Sequence, residues 1–336
     1  MAISFKNKIP APAAAGEVIL PKFITPLLAP TNPYNLKSLQ ISNSSQKTFQ
    51  HCNRQFEFSK VYSVGHNINN VNMGSGTALH VGIQEYLKTK NIEHSIFQMA
   101  LAYPVEEYLL TKDTPYNKDK DRRLEACYTT LMKIIEDNYL YEYELVNIDG
   151  YGPGIEVVFE IKFPSLKTSI PISYIGIIDL IVKHIPTGKI GAADIKTHRD
   201  TRTTEKRYHF AQQTIPYNLV IEQALKQKID NIQLLYFSVY IDIKNPDMQI
   251  YSYEKSADLL KDWAIGVTDD IKKIDQAIQR GWFARQLDAY SCDTCQYFDH
   301  CDDRNVEQLL KELPEYFPVR MSPERTPAFS INLEIE

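Results

Sequence analysis

The sequence predicts an α/β protein built on a mixed β-sheet. Three observations carry this. Apolar residues recur at helical spacing through most of the region between residues 44 and 140. Runs rich in β-branched and aromatic residues, bounded by Gly and Pro, begin near residue 142. The remainder alternates helix, strands and helix, an order that builds a sheet with helices against it.

Each element follows in order. Residues 1–37 form a proline-rich arm. Six of the chain's 18 prolines lie in the first 35 residues, so the arm is extended or wraps the body. Residues 44–60 predict one helix, with Phe49, Cys52 and Phe56 on a face and Ser44 or Ser45 as N-cap. Gly65 to Gly76 predicts a loop, and Thr77 to Lys88 a second helix carrying His80. Residues 94–140 form a helical insertion: helices over 94–111 and 119–140, the latter through Leu124, Leu131, Ile134 and Ile135. Cys127 reads as its buried thiol. Strands are predicted over Tyr143–Ile148, Glu156–Phe163, Ile172–Lys183 and Lys189–Ile195, with Pro186-Thr187-Gly188 as the last turn. Then come a helix over Glu205–Lys226, strands over Ile232–Ile241 and Gln249–Tyr253, and an amphipathic helix over Asp258–Gln279. A cysteine segment spans 292–301, and residues 306–336 are a tail.

Composition excludes several classes. The chain has 336 residues, 43% hydrophobic and 24% charged, enough for a sizeable core. Its 37 basic and 42 acidic residues give a net charge of −5, which excludes a histone-like electrostatic binder but permits a local basic groove. No run approaches a membrane span, and the start lacks the pattern of a signal peptide. The expectation is a cytoplasmic protein whose five cysteines are reduced.

The chemistry gathers in three places. Asp179 lies within one predicted strand, and Asp194 ends the next with Lys196 two residues on. Alternation points Asp194 and Lys196 the same way, to solvent at the strand end, and Ile195 to the core. A hairpin can set Asp179 beside Asp194. Paired carboxylates suit Mg²⁺ or Mn²⁺, and a nearby ammonium can orient water or neutralise phosphate. Second, Cys292-Asp-Thr-Cys295 and Cys301 put three thiols within ten residues, a spacing for zinc or iron–sulfur with a fourth ligand from elsewhere. His300 beside Cys301 is a possible zinc ligand. Third, Arg199, Arg202, Lys206 and Arg207 follow the Asp-Ile-Lys strand, where phosphates would be held without sequence readout. Tyr208 and Phe210 are candidates for stacking on bases. Lys118, Lys120, Arg122 and Arg123 form a second basic cluster, read as a solvated face.

Seven pieces in one order carry a resemblance. They are Ser42-Asn-Ser44 with Phe49-Gln-His-Cys52 and Phe56-Glu-Phe58, Gly74-Ser-Gly76-Thr-Ala-Leu-His80, Glu156 with Phe159, Gly176-Ile-Ile-Asp179, Asp194-Ile-Lys196-Thr197, Gln213 with Tyr217, and Cys292, Cys295 and Cys301. Over residues 38–305 the set resembles the RecB-like nucleases of the PD-(D/E)XK superfamily, above all iron–sulfur members such as the AddB nuclease domain and the CRISPR-adaptation and phage exonucleases. The resemblance implies a restriction-endonuclease-like core, a central mixed sheet flanked by helices. It implies that His80, Asp179 and Asp194 bind metal, that Ile195 lends its carbonyl, and that Lys196 is catalytic. Glu156 matches the upstream glutamate, with Glu160 as its alternative on the same strand face. Gln213 and Tyr217 match a Gln-x-x-x-Tyr motif on one helical face, although Pro216 would kink that helix and Gln212 is the alternative register. Cys52, Cys292, Cys295 and Cys301 would hold a [4Fe–4S] cluster, zinc being the rival. Asn53 stands where the family's Cys-Pro-Arg-like entry has proline.

The resemblance implies a metal-dependent DNA exonuclease of recombination, repair or phage DNA processing, using Mg²⁺ or Mn²⁺. Its substrate would be DNA that is single-stranded or has free ends. A homo-oligomer or a recombination or replication partner protein is compatible with it. The alternatives are a CRISPR-adaptation-type end-trimming nuclease and a non-catalytic DNA-binding protein with an iron–sulfur or zinc clip.

Overall fold

The computed structural model describes residues 34–63, 71–105, 123–198, 211–229, 232–286 and 327–334, together with Leu109, Tyr208, His209, Cys292, Asp293, Cys295, Tyr297, Phe298 and Cys301. The described elements are β1 (Leu39–Ile41), α1 (Asn43–His51), α2 (Asn53–Phe56) running into a π-turn (Glu57–Val61), α3 (Val71–Thr89), α4 (Ile92–Ala102), α5 (Leu124–Glu136), β2 (Tyr143–Leu145), β3 (Asn147–Ile148), β4 (Gly152–Pro153), β5 (Ile155–Lys162), β6 (Ile172–His184), β7 (Ile190–His198), a 3₁₀ turn (Gln212–Thr214), α6 (Tyr217–Leu225), β8 (Gln233–Tyr240), β9 (Asp247–Tyr253), α7 (Ala257–Arg280) and β10 (Phe329–Asn332).

The sheet runs β10-β5-β6-β7-β8-β9, and β1 and β2 pair with the two ends of the long β6. Its ladders are mixed. The β5–β6, β6–β7 and β8–β9 pairs are antiparallel, while β7–β8 and β10–β5 are parallel. The parallel β7–β8 pair requires a crossover, which α6 supplies.

Helices cover both faces. Ala192 and Leu234 pack on one face with α1, α6 and α7; Ala193 and Leu235 pack on the other with α3, α4 and α5. Adjacent residues facing opposite cores explain why β8 reads as a nearly unbroken apolar run.

Several expectations are corrected. The single helix over 44–60 is two, broken at Cys52, whose backbone is extended (φ −155°) and caps both halves. The cap of α1 is Ser42, not Ser44 or Ser45, and it forms a capping box with Ser45. Gly74 and Gly76 lie inside α3 rather than in a loop. A Cβ on Gly76 would sit 2.8 Å from Thr197 Oγ1, so glycine lets the helix press onto β7. Pro216 does not kink a helix; it precedes the first residue of α6, where a missing N–H costs nothing. Phe329–Asn332, assigned to the tail, adds a parallel strand to the β5 edge.

Candidate active site

The carboxylates fall on one row across the sheet. The pairs Ile155↔Leu180 and Val157↔Ile178 flank Glu156 and Asp179, which therefore stand opposite each other. The β6–β7 ladder ends at Leu180↔Ala193, and Asp179 and Asp194 are the next positions along it. There the strands part, and Asp179 Oδ2 takes the Ile195 N–H at 2.8 Å. The parting makes room for side chains from both layers: His80 from α3, and Gln213 and Tyr217 from the α6 side.

One ligand atom from each of His80, Glu156 and Asp179 lies within 4.8 Å of the other two. Glu156 has φ +50°, and among the described residues it is the only non-glycine inside a strand with positive φ. Such a backbone costs roughly 1–2 kcal/mol, and strain of this kind collects at functional sites. Gln84, one helical turn beyond His80, donates to Glu156 Oε1 at 2.7 Å. Glu160, the alternative to Glu156, is engaged elsewhere with Ser173, Lys162 and Ser330.

His80 Nδ1 lies 3.8 Å from Asp179 Oδ2. Burial lowers the His80 pKa despite the pull of Asp194, and the ring also has a main-chain hydrogen bond to Ile195. The ring is therefore neutral, the form a metal ligand requires. Burial pushes Asp179 up to about 6, only partly opposed by the Ile195 N–H and by Lys196. Burial likewise pushes Asp194 up to about 6 against the pull of Lys196.

Asp194 is fully buried, which corrects the expectation of a solvent-facing carboxylate. Lys196 beside it is 37% exposed and places Nζ 2.6 Å from Asp194 Oδ2. That close ion pair ties the buried carboxylate to the ammonium. Burial works against the Lys196 ammonium, but Asp194 and Asp179 outweigh it and raise its pKa. The lysine is thus a cation and not a free base.

Gln213 lies in the 3₁₀ turn and Tyr217 begins α6, so the two do not share one continuous helix as the sequence predicted. Their side chains still meet. Gln213 Nε2 donates to Asp194 Oδ1 (2.9 Å) and to Tyr217 Oη (3.3 Å), and its Oε1 accepts from Lys196 (3.3 Å). Tyr217 donates to the Ile177 carbonyl at 2.8 Å. Gln213, not Gln212, is therefore the residue turned to the site. This chain of bonds fixes the amide orientation and ties Asp194 and Lys196 to β6.

Two sequence expectations lie elsewhere. Tyr208 is buried and stacked on Tyr236, with ring centroids 4.4 Å apart, and it bonds His198 and Ser238. It is not free to stack on bases. Arg199, Arg202, Lys206, Arg207, Phe210 and the cluster at Lys118, Lys120 and Arg122 lie outside the described residues. Sequence reasoning missed Gln84 and Tyr151; the only signal for Gln84 is its position four residues after His80.

Cys52 and the three C-terminal cysteines lie near one another, about Gln286. The Gln286 N–H approaches Cys52 Sγ at 3.4 Å, and Cys292 Sγ approaches the Gln286 carbonyl at 3.9 Å. Burial raises the Cys295 pKa, and the Cys52, Cys301 and Cys292 thiols beside it add to the rise. Tyr297 stacks on Phe58 with centroids 5.0 Å apart, and the Arg54 guanidinium covers the other ring of that pair, Phe58, at 4.2 Å. Cys127 is buried as expected.

A mixed sheet flanked by helices carries, where two strands part, a neutral histidine, three carboxylates and a lysine, and three of these groups could hold a hard cation. The chain belongs to the PD-(D/E)XK nuclease superfamily, whose family model matches residues 40–302. Its fold is accordingly restriction-endonuclease-like. Solved structures with a similar chain path include a protein of Eubacterium rectale for which exonuclease activity has been inferred (14% identity, 78% of this chain and 87% of that one, TM-score 0.44). Another is the protein SSO0001 (14% identity, 59% of this chain and 79% of that one, TM-score 0.27). At that similarity neither bears on activity. No curated protein matches. Among the described residues no helix is long and apolar enough to cross a membrane.

Proposed function

We propose that this chain is a divalent-metal-dependent DNA exonuclease of the cytoplasm. The observation that carries the reading is the convergence of His80, Glu156 and Asp179 beside the Asp194–Lys196–Gln213 network. Their donor set fits Mg²⁺ or Mn²⁺: two carboxylates and one neutral imidazole within reach of one another. Such a cation polarises phosphate and lowers the pKa of water when bound. Ile195 is held at the site by its N–H to Asp179, in keeping with a role for its carbonyl beside the cation. Lys196 stays protonated and can hold a phosphate oxygen or orient the attacking water. Gln213 and Tyr217 keep Lys196 and Asp194 in place. Arg199, Arg202, Lys206 and Arg207 would hold the backbone of a strand leaving the site. An intact lysine–carboxylate network is what a decayed, purely binding relative would lack.

Cys52, Cys292, Cys295 and Cys301 are assigned to a [4Fe–4S] cluster that clips the helix break at Cys52 to the C-terminal segment. Zinc held by the same thiolates is the rival reading, and the iron and acid-labile sulfide content of the anaerobically purified protein separates the two. Recombination, repair, phage DNA processing and end-trimming before CRISPR integration all fit this chemistry.

The test offers linear and covalently closed circular DNA to the protein with Mn²⁺. An exonuclease degrades the linear form and spares the circle, and labels on the 5′ or 3′ ends report polarity. Equal cutting of both forms overturns the exonuclease reading.

A further inference from the structure

Glu156 stands apart from the other acidic residues of the site. Its backbone is left-handed within a strand. The Tyr151 hydroxyl reaches the carbonyls of Ile155 (3.2 Å) and of Glu156 itself (3.0 Å). Its side chain is bound by Gln84, whose amide nitrogen sits 2.7 Å from Oε1. Gln84 is only 7% exposed and lies on the same face of α3 as His80, four residues on. An amide buried at that depth and aimed at one oxygen of a strained carboxylate does more than fill space.

We propose that Gln84 is a positioning residue that sets which cation this site accepts. The inference rests on reading His80, Glu156 and Asp179 as a cation site. With one lone pair of Oε1 held by Gln84, Glu156 is disposed to meet a cation through Oε2 alone. Mg²⁺ and Mn²⁺ accept single-oxygen carboxylates in an octahedral shell. Ca²⁺ prefers six to eight oxygens and more readily takes a carboxylate through both. Gln84 therefore selects small cations by withholding half of a carboxylate, and Tyr151 supports it by holding the backbone of the same residue.

The test is calorimetric titration of the full chain with Mn²⁺ and with Ca²⁺, comparing wild type, Gln84→Met and Glu156→Gln, with the melting midpoint of each cation-free protein alongside. Met keeps the volume and removes the donor. The expected result is a fall of about tenfold or more in the ratio of Mn²⁺ to Ca²⁺ affinity in Gln84→Met, with little change in melting. Gln84→Leu, which also removes the donor and adds no charge, lowers the same ratio and serves if Gln84→Met does not fold. An unchanged ratio in these variants, while Glu156→Gln loses Mn²⁺, overturns the role of Gln84 and leaves the cation site standing. No saturable Mn²⁺ binding in the wild type overturns both.

Discussion

The carboxylate site and the cysteine site are built in opposite ways. The carboxylates ride on β5, β6 and β7, strands pinned by neighbours on each edge and by helices on each face. Each key side chain is already cross-bonded before any ligand arrives: Asp179 to Ile195, Asp194 to Gln213, Glu156 to Gln84. The cysteines of the proposed cluster sit at a helix break and on short turns, partly exposed, near the Phe58–Tyr297 stack and the Arg54 N–H to the Ala284 carbonyl. The first site can therefore lose its chemistry without losing the fold. The second, under the proposed cluster assignment, would depend on what its thiols bind.

Substitutions sharpen this contrast. Asp194→Asn keeps the shape and the acceptor for Gln213 but removes the charge facing Lys196. Cleavage should fall by about a thousandfold or more, while the melting midpoint stays near the wild type. A large melting loss would show that the carboxylate site is structural after all. Cys295→Ser should do the reverse, abolishing the visible absorption of the cluster and lowering the melting midpoint by about 5 °C or more. Cys127→Ser, outside the set, should leave the absorption untouched. Equal absorption in Cys295→Ser would end the assignment of that cysteine.

Acidity separates the sites next. Asp179 and Asp194 titrate near 6 in the fold, above their ordinary value of about 3.9. The fold without cation is thus favoured by protonation: that contribution is full below about pH 4 and is lost as pH rises through about 6. A cation must displace those protons, so Mn²⁺ affinity should fall about tenfold or more from pH 7 to pH 5. A flat calorimetric profile would contradict the buried carboxylates as ligands. The smallest effect belongs to Gly76→Ala, whose Cβ meets Thr197 Oγ1. It should cost roughly 1–3 kcal/mol in denaturant unfolding, because α3 is pushed off β7.

The sequence made the site more legible than the fold that holds it. Asp179, Asp194 and Lys196 were readable because metal and phosphate chemistry admits few residue types at that spacing. The burial of Asp194 was not readable, since it depends on how α6 closes over β7. Nor was Gln84, because a glutamine four residues past a histidine is ordinary until a strained Glu156 is seen opposite it. The break at Cys52 hid inside a face of helical period that Phe49 and Phe56 continue across it. Gly74 and Gly76 read as a loop because their use is close packing on Pro104 and Thr197, a tertiary fact. Strands of three and four residues, β1 and β10, are too short to show a period and exist only through their partners β6 and β5.

The most direct test of the account is digestion of end-labelled single- and double-stranded DNA by anaerobically purified protein with Mg²⁺ or Mn²⁺, against EDTA, with Lys196→Ala alongside. Loss of DNA should require the cation and vanish in the variant. Cleavage that persists in EDTA, or that Lys196→Ala carries out at the wild-type rate, would contradict it.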